Sequence, residues 1–237
     1  MSWMIPDDRL DVDQRQIINI SLKIQQSILI QGPAGSGKSV VLVKILQNIL
    51  IHQPAKRVCM VLFTRSLMDM MKSGIPDQIC SQVQIYSALE FERKQIHQQW
   101  DVVIVDEVQD IKHELLDQLF RCAKQVILAG DMAQSIYEEG CSSNYFDHIQ
   151  NLQTLKLKKI YRLPKSIQWM ACYFADDAEI FSRYEVDQRV ANVSVQLMPY
   201  PDWQREAQEV WRKAREYAWN KLSVVVIYPN NNAIVEL

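Results

Sequence analysis

No stretch of about 18 uninterrupted apolar residues occurs in the sequence, so no membrane-spanning helix is predicted and no membrane partner is implied. The first residues, Met1–Asp11, lack a basic region followed by an apolar one, which argues against a secretory signal. The five cysteines (Cys59, Cys80, Cys122, Cys141, Cys172) are dispersed, with no C-x-x-C pair. An odd, scattered set reads as buried thiols in a reducing, cytoplasmic setting rather than as disulfides or zinc ligands. A basic excess is also missing: 26 Lys and Arg face 28 Asp and Glu, for a net charge of −2. A phosphate-backbone surface is therefore not visible in bulk charge, and any nucleic-acid reading must rest on motifs. Repeats and low-complexity segments are absent as well.

Short apolar strands alternate with helical stretches, which predicts a three-layer α/β domain with a mostly parallel sheet. The strand candidates are Ile28–Gln31, Val58–Thr64, Val83–Tyr86, Val102–Asp106 and Val126–Gly130. Several are nearly all apolar, as strands buried on both faces must be. Ser39–Ile51 is apolar almost all round and reads as a buried helix, and His113–Cys122 is amphipathic. Beyond residue 160 the texture changes. A helix is predicted over Ile167–Ala178, strands over Val193–Met198 and Ser223–Tyr228, and a helix over Gln204–Trp219. The aromatic stripe of that last helix reads as core packing rather than as a base-stacking platform.

Glycine is scarce, and three of the six glycines fall in Gly32-Pro33-Ala34-Gly35-Ser36-Gly37-Lys38-Ser39. This segment fits G-x-x-x-x-G-K-S/T in full, after a strand and before a helix. A backbone that turns tightly with its N–H groups facing inward can surround an anion, and side chains at the glycine positions would obstruct it. The next helix offers its N-terminal dipole to phosphates. Lys38 is expected to bridge the β- and γ-phosphates of ATP, and the Ser39 hydroxyl to ligate Mg²⁺. Asp106 closes an apolar strand and is expected to hold Mg²⁺, with Glu107 beside it as the base that orients and deprotonates the attacking water. No N-K-x-D guanine signature occurs, which disfavours a GTPase.

The order of further motifs resembles the UvrD/Rep-like branch of superfamily 1 DNA helicases. Asp106-Glu107-Val108-Gln109-Asp110 looks like motif II, and Gly130-Asp131-Met132-Ala133-Gln134-Ser135-Ile136-Tyr137 like motif III. Leu10–Arg15 resembles the Q motif, Leu62–Leu67 motif Ia, and Ile160–Pro164 motif IV. The resemblance covers Leu10–Arg162 and implies an N-terminal RecA-like ATPase domain over residues 1–160. Residues 161–237 would then carry motif IV, linking helices and the first strands of an incomplete second RecA-like domain. By the same resemblance Gln14 reads the adenine edge, Tyr161 stacks on the adenine ring, and Gln134 senses the γ-phosphate. Arg162 clamps that phosphate. Phe63, Thr64, Arg65 and Tyr137 become the candidate contacts to nucleic acid.

The sequence departs from that pattern in four places. The stretch between Thr64 and Asp106 is too short for the large accessory insertion of the relatives. Arg65 stands where they often have asparagine, and Glu138-Glu139 follow Tyr137, where acids repel phosphate. Motifs V and VI are absent, so the expectation is an ATP-hydrolysing half of a motor, weak in isolation and unable to unwind alone. Its partners would be single-stranded or partly duplex DNA, with RNA left open, and a second domain or subunit that supplies motifs V and VI. The alternative is a nucleotide-dependent regulatory or assembly module without unwinding activity.

Overall fold

The structure, a computed structural model, describes residues 3–94, 98–135, 140–174 and 184–227. It divides into two units, Met1–Val193 and Ser194–Leu237. Apolar runs that recur as short strands can be buried on both faces only if helices cover both sides of the sheet. The first unit is built that way. Its strands are β1 (Ser27–Gln31), β2 (Val58–Leu62), β3 (Val83–Ser87), β4 (Trp100–Val105), β5 (Ala123–Gly130) and β6 (Leu152–Lys156). They form one sheet in the order β3-β2-β4-β5-β1-β6, and every pairing is parallel.

The helices of this unit are α1 (Val12–Lys23), α2 (Lys38–His52), α3 (Arg65–Gly74), α4 (Asp77–Cys80), α5 (Ala88–Lys94), α6 (His113–Cys122), α7 (Ser143–Asp147) and α8 (Lys165–Phe174). Strand side chains alternate between faces, and the core splits accordingly. Ile28, Ile30, Met60, Leu62, Ile104 and Ile127 pack with α1 and α2 on one face. Leu29, Val61, Val103, Val105 and Leu128 pack on the other with Leu115, Leu116 and Leu119 of α6. This is the three-layer α/β fold that the pattern predicts.

Strand order decides where the chemistry falls. The carboxyl ends of β1, β4 and β5 lie side by side, with Gln31 opposite Gly130 and Val105 opposite Leu128. The three loops that follow these strands therefore emerge along one edge, outside the carboxyl ends, where open parallel sheets bind ligands. β2 stops at Leu62 rather than running to Thr64. Thr64 instead caps α3, its Oγ1 accepting the Leu67 N–H at 3.2 Å.

β6, at the sheet edge, was not among the predicted strands. A short pair, β7 (Lys159–Ile160) and β8 (Glu185–Val186), forms a separate parallel sheet. The strand predicted over Val193–Met198 does not form, nor does one over residues 223–227, while Tyr228 lies outside the described residues. A strand needs a neighbouring edge to satisfy its backbone groups, and among the described residues neither segment pairs with one. The helix predicted over Ile167–Ala178 is α8, and residues 175–178 lie outside the described ones.

In the second unit the helix Trp203–Trp219 is capped by Asp202, whose side chain accepts the Arg205 N–H at 2.7 Å. Its aromatic stripe is not core. Trp219 is 89% exposed and Trp203, Trp211 and Tyr217 are exposed too, whereas Ala207 and Ala214 are the buried residues. A short segment with one helix has too little apolar surface to cover four large rings. No described helix is long and apolar enough to cross a membrane.

Candidate active site

The turn between β1 and α2 takes its shape from two glycines with left-handed backbone, Gly35 (φ +76°) and Gly37 (φ +87°). Lys38 opens α2 but its Nζ folds back, donating to the carbonyls of Gly32 at 2.8 Å and Pro33 at 3.3 Å. Gln14 braces the loop from α1. Its Oε1 accepts the Asp11 N–H in a capping box, and its Nε2 donates to Ser36 O at 3.1 Å. The amide is buried against the loop backbone, in a cavity wall it shares with the glycines.

The carboxylates come from the end of β4. Asp106, one residue beyond the strand, is fully buried and accepts the Ser39 hydroxyl at 2.6 Å. Burial, then the neighbouring Glu107, pushes its pKa up to about 6, while the Ser39 bond and the Lys38 ammonium oppose that rise. Glu107 has left-handed backbone (φ +51°), a costly state for a non-glycine residue that clusters at functional sites. Gln109 donates to its Oε2 at 2.9 Å. After β5, Asp131 accepts the Gln134 side-chain amide at 2.6 Å.

One cavity of about 310 Å³ gathers most of the expected residues: Gln14, Ala34, Gly35, Gly37, Lys38, Ser39, Glu107, Gln134, Tyr161 and Arg162. Gly32, Pro33, Ser36 and Asp106 do not line it and instead hold its wall. Tyr161 and Arg162 are seated by the loop itself: the Tyr161 N–H donates to Gly35 O at 2.8 Å, and a Cβ on Gly35 would lie 3.1 Å from that of Arg162. The Tyr161 hydroxyl donates to Asp11 Oδ2, which ties this segment to the cap of α1. Sequence reasoning gave no part to Trp3, Ile5 and Met70, which also line the cavity. Trp3 is anchored on α3, its Nε1 donating to Met70 O at 3.0 Å and Ser73 Oγ at 3.1 Å.

Phe63 and Thr64 line a second cavity of about 370 Å³ with Glu107 and Asp110, so Glu107 stands between the two spaces. Burial, then Glu107, raises the Asp110 pKa. Arg65 is exposed at the start of α3 and lines neither cavity. Tyr137 lies outside the described residues.

A glycine-rich strand-to-helix loop, with an acid at the end of a nearby strand, is the architecture of P-loop nucleotide-binding domains. The sequence profile of an AAA domain family (AAA_19) matches residues 14–139, more than half of the chain. The chain belongs to that family. The match runs from Gln14 through the P-loop and both carboxylates to the segment after β5. No curated protein matches this AAA domain chain in sequence.

Among solved structures it is similar to the arterivirus nonstructural protein 10 helicase in complex with DNA, at 18% identity and a TM-score of 0.52. That likeness covers 80% of this chain and 47% of the other. It is also similar to the PRRSV helicase, at 16% identity and a TM-score of 0.51, covering 81% of this chain and 40% of that one. At such identity the likeness is one of fold. The AAA domain chain spans less than half the length of these helicases.

Proposed function

We propose that this chain is the ATP-binding and ATP-hydrolysing N-terminal half of a UvrD/Rep-like helicase motor acting on DNA. The observation that carries the reading is the cavity that unites Lys38 and Ser39 of the loop with Glu107, Gln134, Tyr161 and Arg162, residues from four separate motifs. The triphosphate lies along Gly32–Ser39, with Lys38 turning from the loop carbonyls to the β- and γ-phosphates. The adenine lies toward Gln14 and Tyr161, and Arg162 reaches the γ-phosphate from its seat on Gly35. Ser39 Oγ and Asp106 are hard oxygen donors already 2.6 Å apart, a pair suited to Mg²⁺. Held by this pair, Mg²⁺ would supply positive charge to the phosphates and favour the ionised form of Asp106. Glu107 orients the attacking water and takes its proton.

Nucleic acid passes the neighbouring cavity at Phe63 and Thr64, with Arg65 and Tyr137 as further contacts. The arterivirus helicase of similar fold was solved with DNA, which supports a nucleic-acid partner. The boundary between the two lobes is placed at residue 160, the end of β7, inside the first of the two compact units. A second RecA-like domain or a partner subunit supplies motifs V and VI.

Calorimetry with Mg²⁺-ATP tests the reading. Binding should be measurable for the wild type and abolished by Lys38→Ala; equal affinities would sink the assignment. Glu107→Gln should keep binding and lose turnover by about 10²-fold or more. Unchanged single-turnover hydrolysis would remove Glu107 from the role of base.

A further inference from the structure

Glu107 is held by more than its own backbone. Gln109, two residues on, is buried, and both ends of its side-chain amide are engaged. Its Nε2 donates to Glu107 Oε2 at 2.9 Å, and its Oε1 accepts the Asp131 N–H at 3.1 Å. The orientation of the amide is unambiguous, because a carboxylate only accepts and a peptide N–H only donates. Its backbone carbonyl accepts the Cys141 N–H at 3.0 Å, which anchors a further segment downstream of β5.

Gly130 makes room for this arrangement. A Cβ there would lie 2.5 Å from Gln109 Oε1 and 2.8 Å from Val108 Cγ1. Asp131 extends the chain of contacts, its Oδ2 accepting Gln134 Nε2 at 2.6 Å and its Oδ1 the Ala133 N–H at 3.2 Å. An amide suits this place because it donates to a carboxylate through its NH2 and accepts a peptide N–H through its oxygen at once.

We infer that Gln109 is a positioning residue that aims the Glu107 carboxylate and locks that aim to the turn Asp131–Gln134. The inference rests on the function proposed above, since what is positioned is the hydrolytic base. A displacement of Gln134 reaches Glu107 through three hydrogen bonds: Gln134 to Asp131, Asp131 to Gln109, and Gln109 to Glu107. Binding of nucleotide does not depend on this relay. Turnover does, because only the base is aimed by it.

The test is a double-mutant cycle with a second, turnover-free readout. Gln109→Met and Gln109→Glu are made in the wild type and in Glu107→Gln, and Mg²⁺-ATP affinity and single-turnover hydrolysis are measured. Affinity should hold within about twofold, and turnover should fall about tenfold in the wild-type background, the scale of one lost charge-assisted hydrogen bond. In the Glu107→Gln background the same changes should cost nothing more, since a residue that acts through Glu107 has nothing left to aim. Equal losses in both backgrounds, or none in either, overturn the inference. Amide exchange on nucleotide-free protein reads the other end of the relay. Asp131 should exchange about tenfold faster in Gln109→Met and at the wild-type rate in Gln109→Glu, which keeps an acceptor oxygen. Unchanged Asp131 protection in Gln109→Met overturns the relay whatever the turnover. Absence of wild-type hydrolysis sinks the proposed function instead, and exchange then decides the relay alone.

Discussion

Two demands meet at Gly37. Its φ of +87° places it in the left-handed region, and a Cβ would lie 2.6 Å from Gln14 Nε2, the atom that braces the loop through Ser36 O. Gly37→Ala should therefore cost about 1–2 kcal/mol from backbone conformation alone, and it must also displace Gln14. We expect a lower urea midpoint together with weaker Mg²⁺-ATP binding; an alanine variant that matches the wild type in both would show that the loop tolerates another shape. The three P-loop glycines and Lys38 were legible because they fall in one short run, and the two carboxylates because they are adjacent at the end of an apolar strand. Gln109 was visible only as one letter of a motif. Its partner Asp131 lies far along the chain, and no periodicity reports a hydrogen bond between two loops.

Elements were legible in proportion to their burial. β1, β2, β4 and β5 are apolar because both faces are covered, so their composition announces them. Among the described residues β6 pairs only with β1, and Gln153, Thr154 and Lys156 interrupt its apolar positions, a pattern too short and too mixed to stand out. The β7–β8 pair escaped for the same reason, since two residues per strand leave no pattern to read.

Backbone bonds join that pair, Asp187 N–H to Ile160 O at 2.8 Å and Glu185 N–H to Lys158 O at 3.2 Å, and local charge reinforces it. Arg189 binds Asp187 through its guanidinium, at 2.7 and 3.0 Å, and through its backbone N–H at 2.8 Å, with Lys159 at 3.6 Å. These bonds hold the Asp187 carboxyl well below the usual carboxylate range. Because the folded-state pKa lies below the unfolded value of about 3.9, the stabilisation is present above that pH and fades as pH falls. The difference in unfolding midpoint between the wild type and Asp187→Asn should thus be open at neutral pH and close below about pH 4. A gap that is constant with pH would assign Asp187 a role independent of its charge.

At the scale of the molecule, the described cavity contains one arginine, Arg162. If the motor needs a second arginine from a facing lobe, its absence can cost on the order of 10³-fold or more in phosphoryl transfer. The purified chain should accordingly show slow ATPase, little stimulation by single-stranded DNA and no strand separation. A strand-displacement assay across several salt concentrations checks this, and robust unwinding by the chain alone would refute the need for a second lobe. The net charge of −2 points the same way, offering little attraction to a phosphate backbone.

The position of β1 also sets a timetable. Of the six described strands of the sheet it is synthesised first, yet both of its neighbours are made last: Ile28 must wait for Ile127, and Ser27 for Leu152. β2, β3 and β4 can assemble earlier, being contiguous in the chain and adjacent in the sheet. At ribosomal speeds of ~5–20 residues per second, the strand that carries the P-loop stays without a partner for roughly 5–20 s. Through that interval its apolar residues are available to wrong edges or to a chaperone. A nascent chain stalled before Lys156 would hold a complete phosphate-loop sequence that has no finished sheet to shape it.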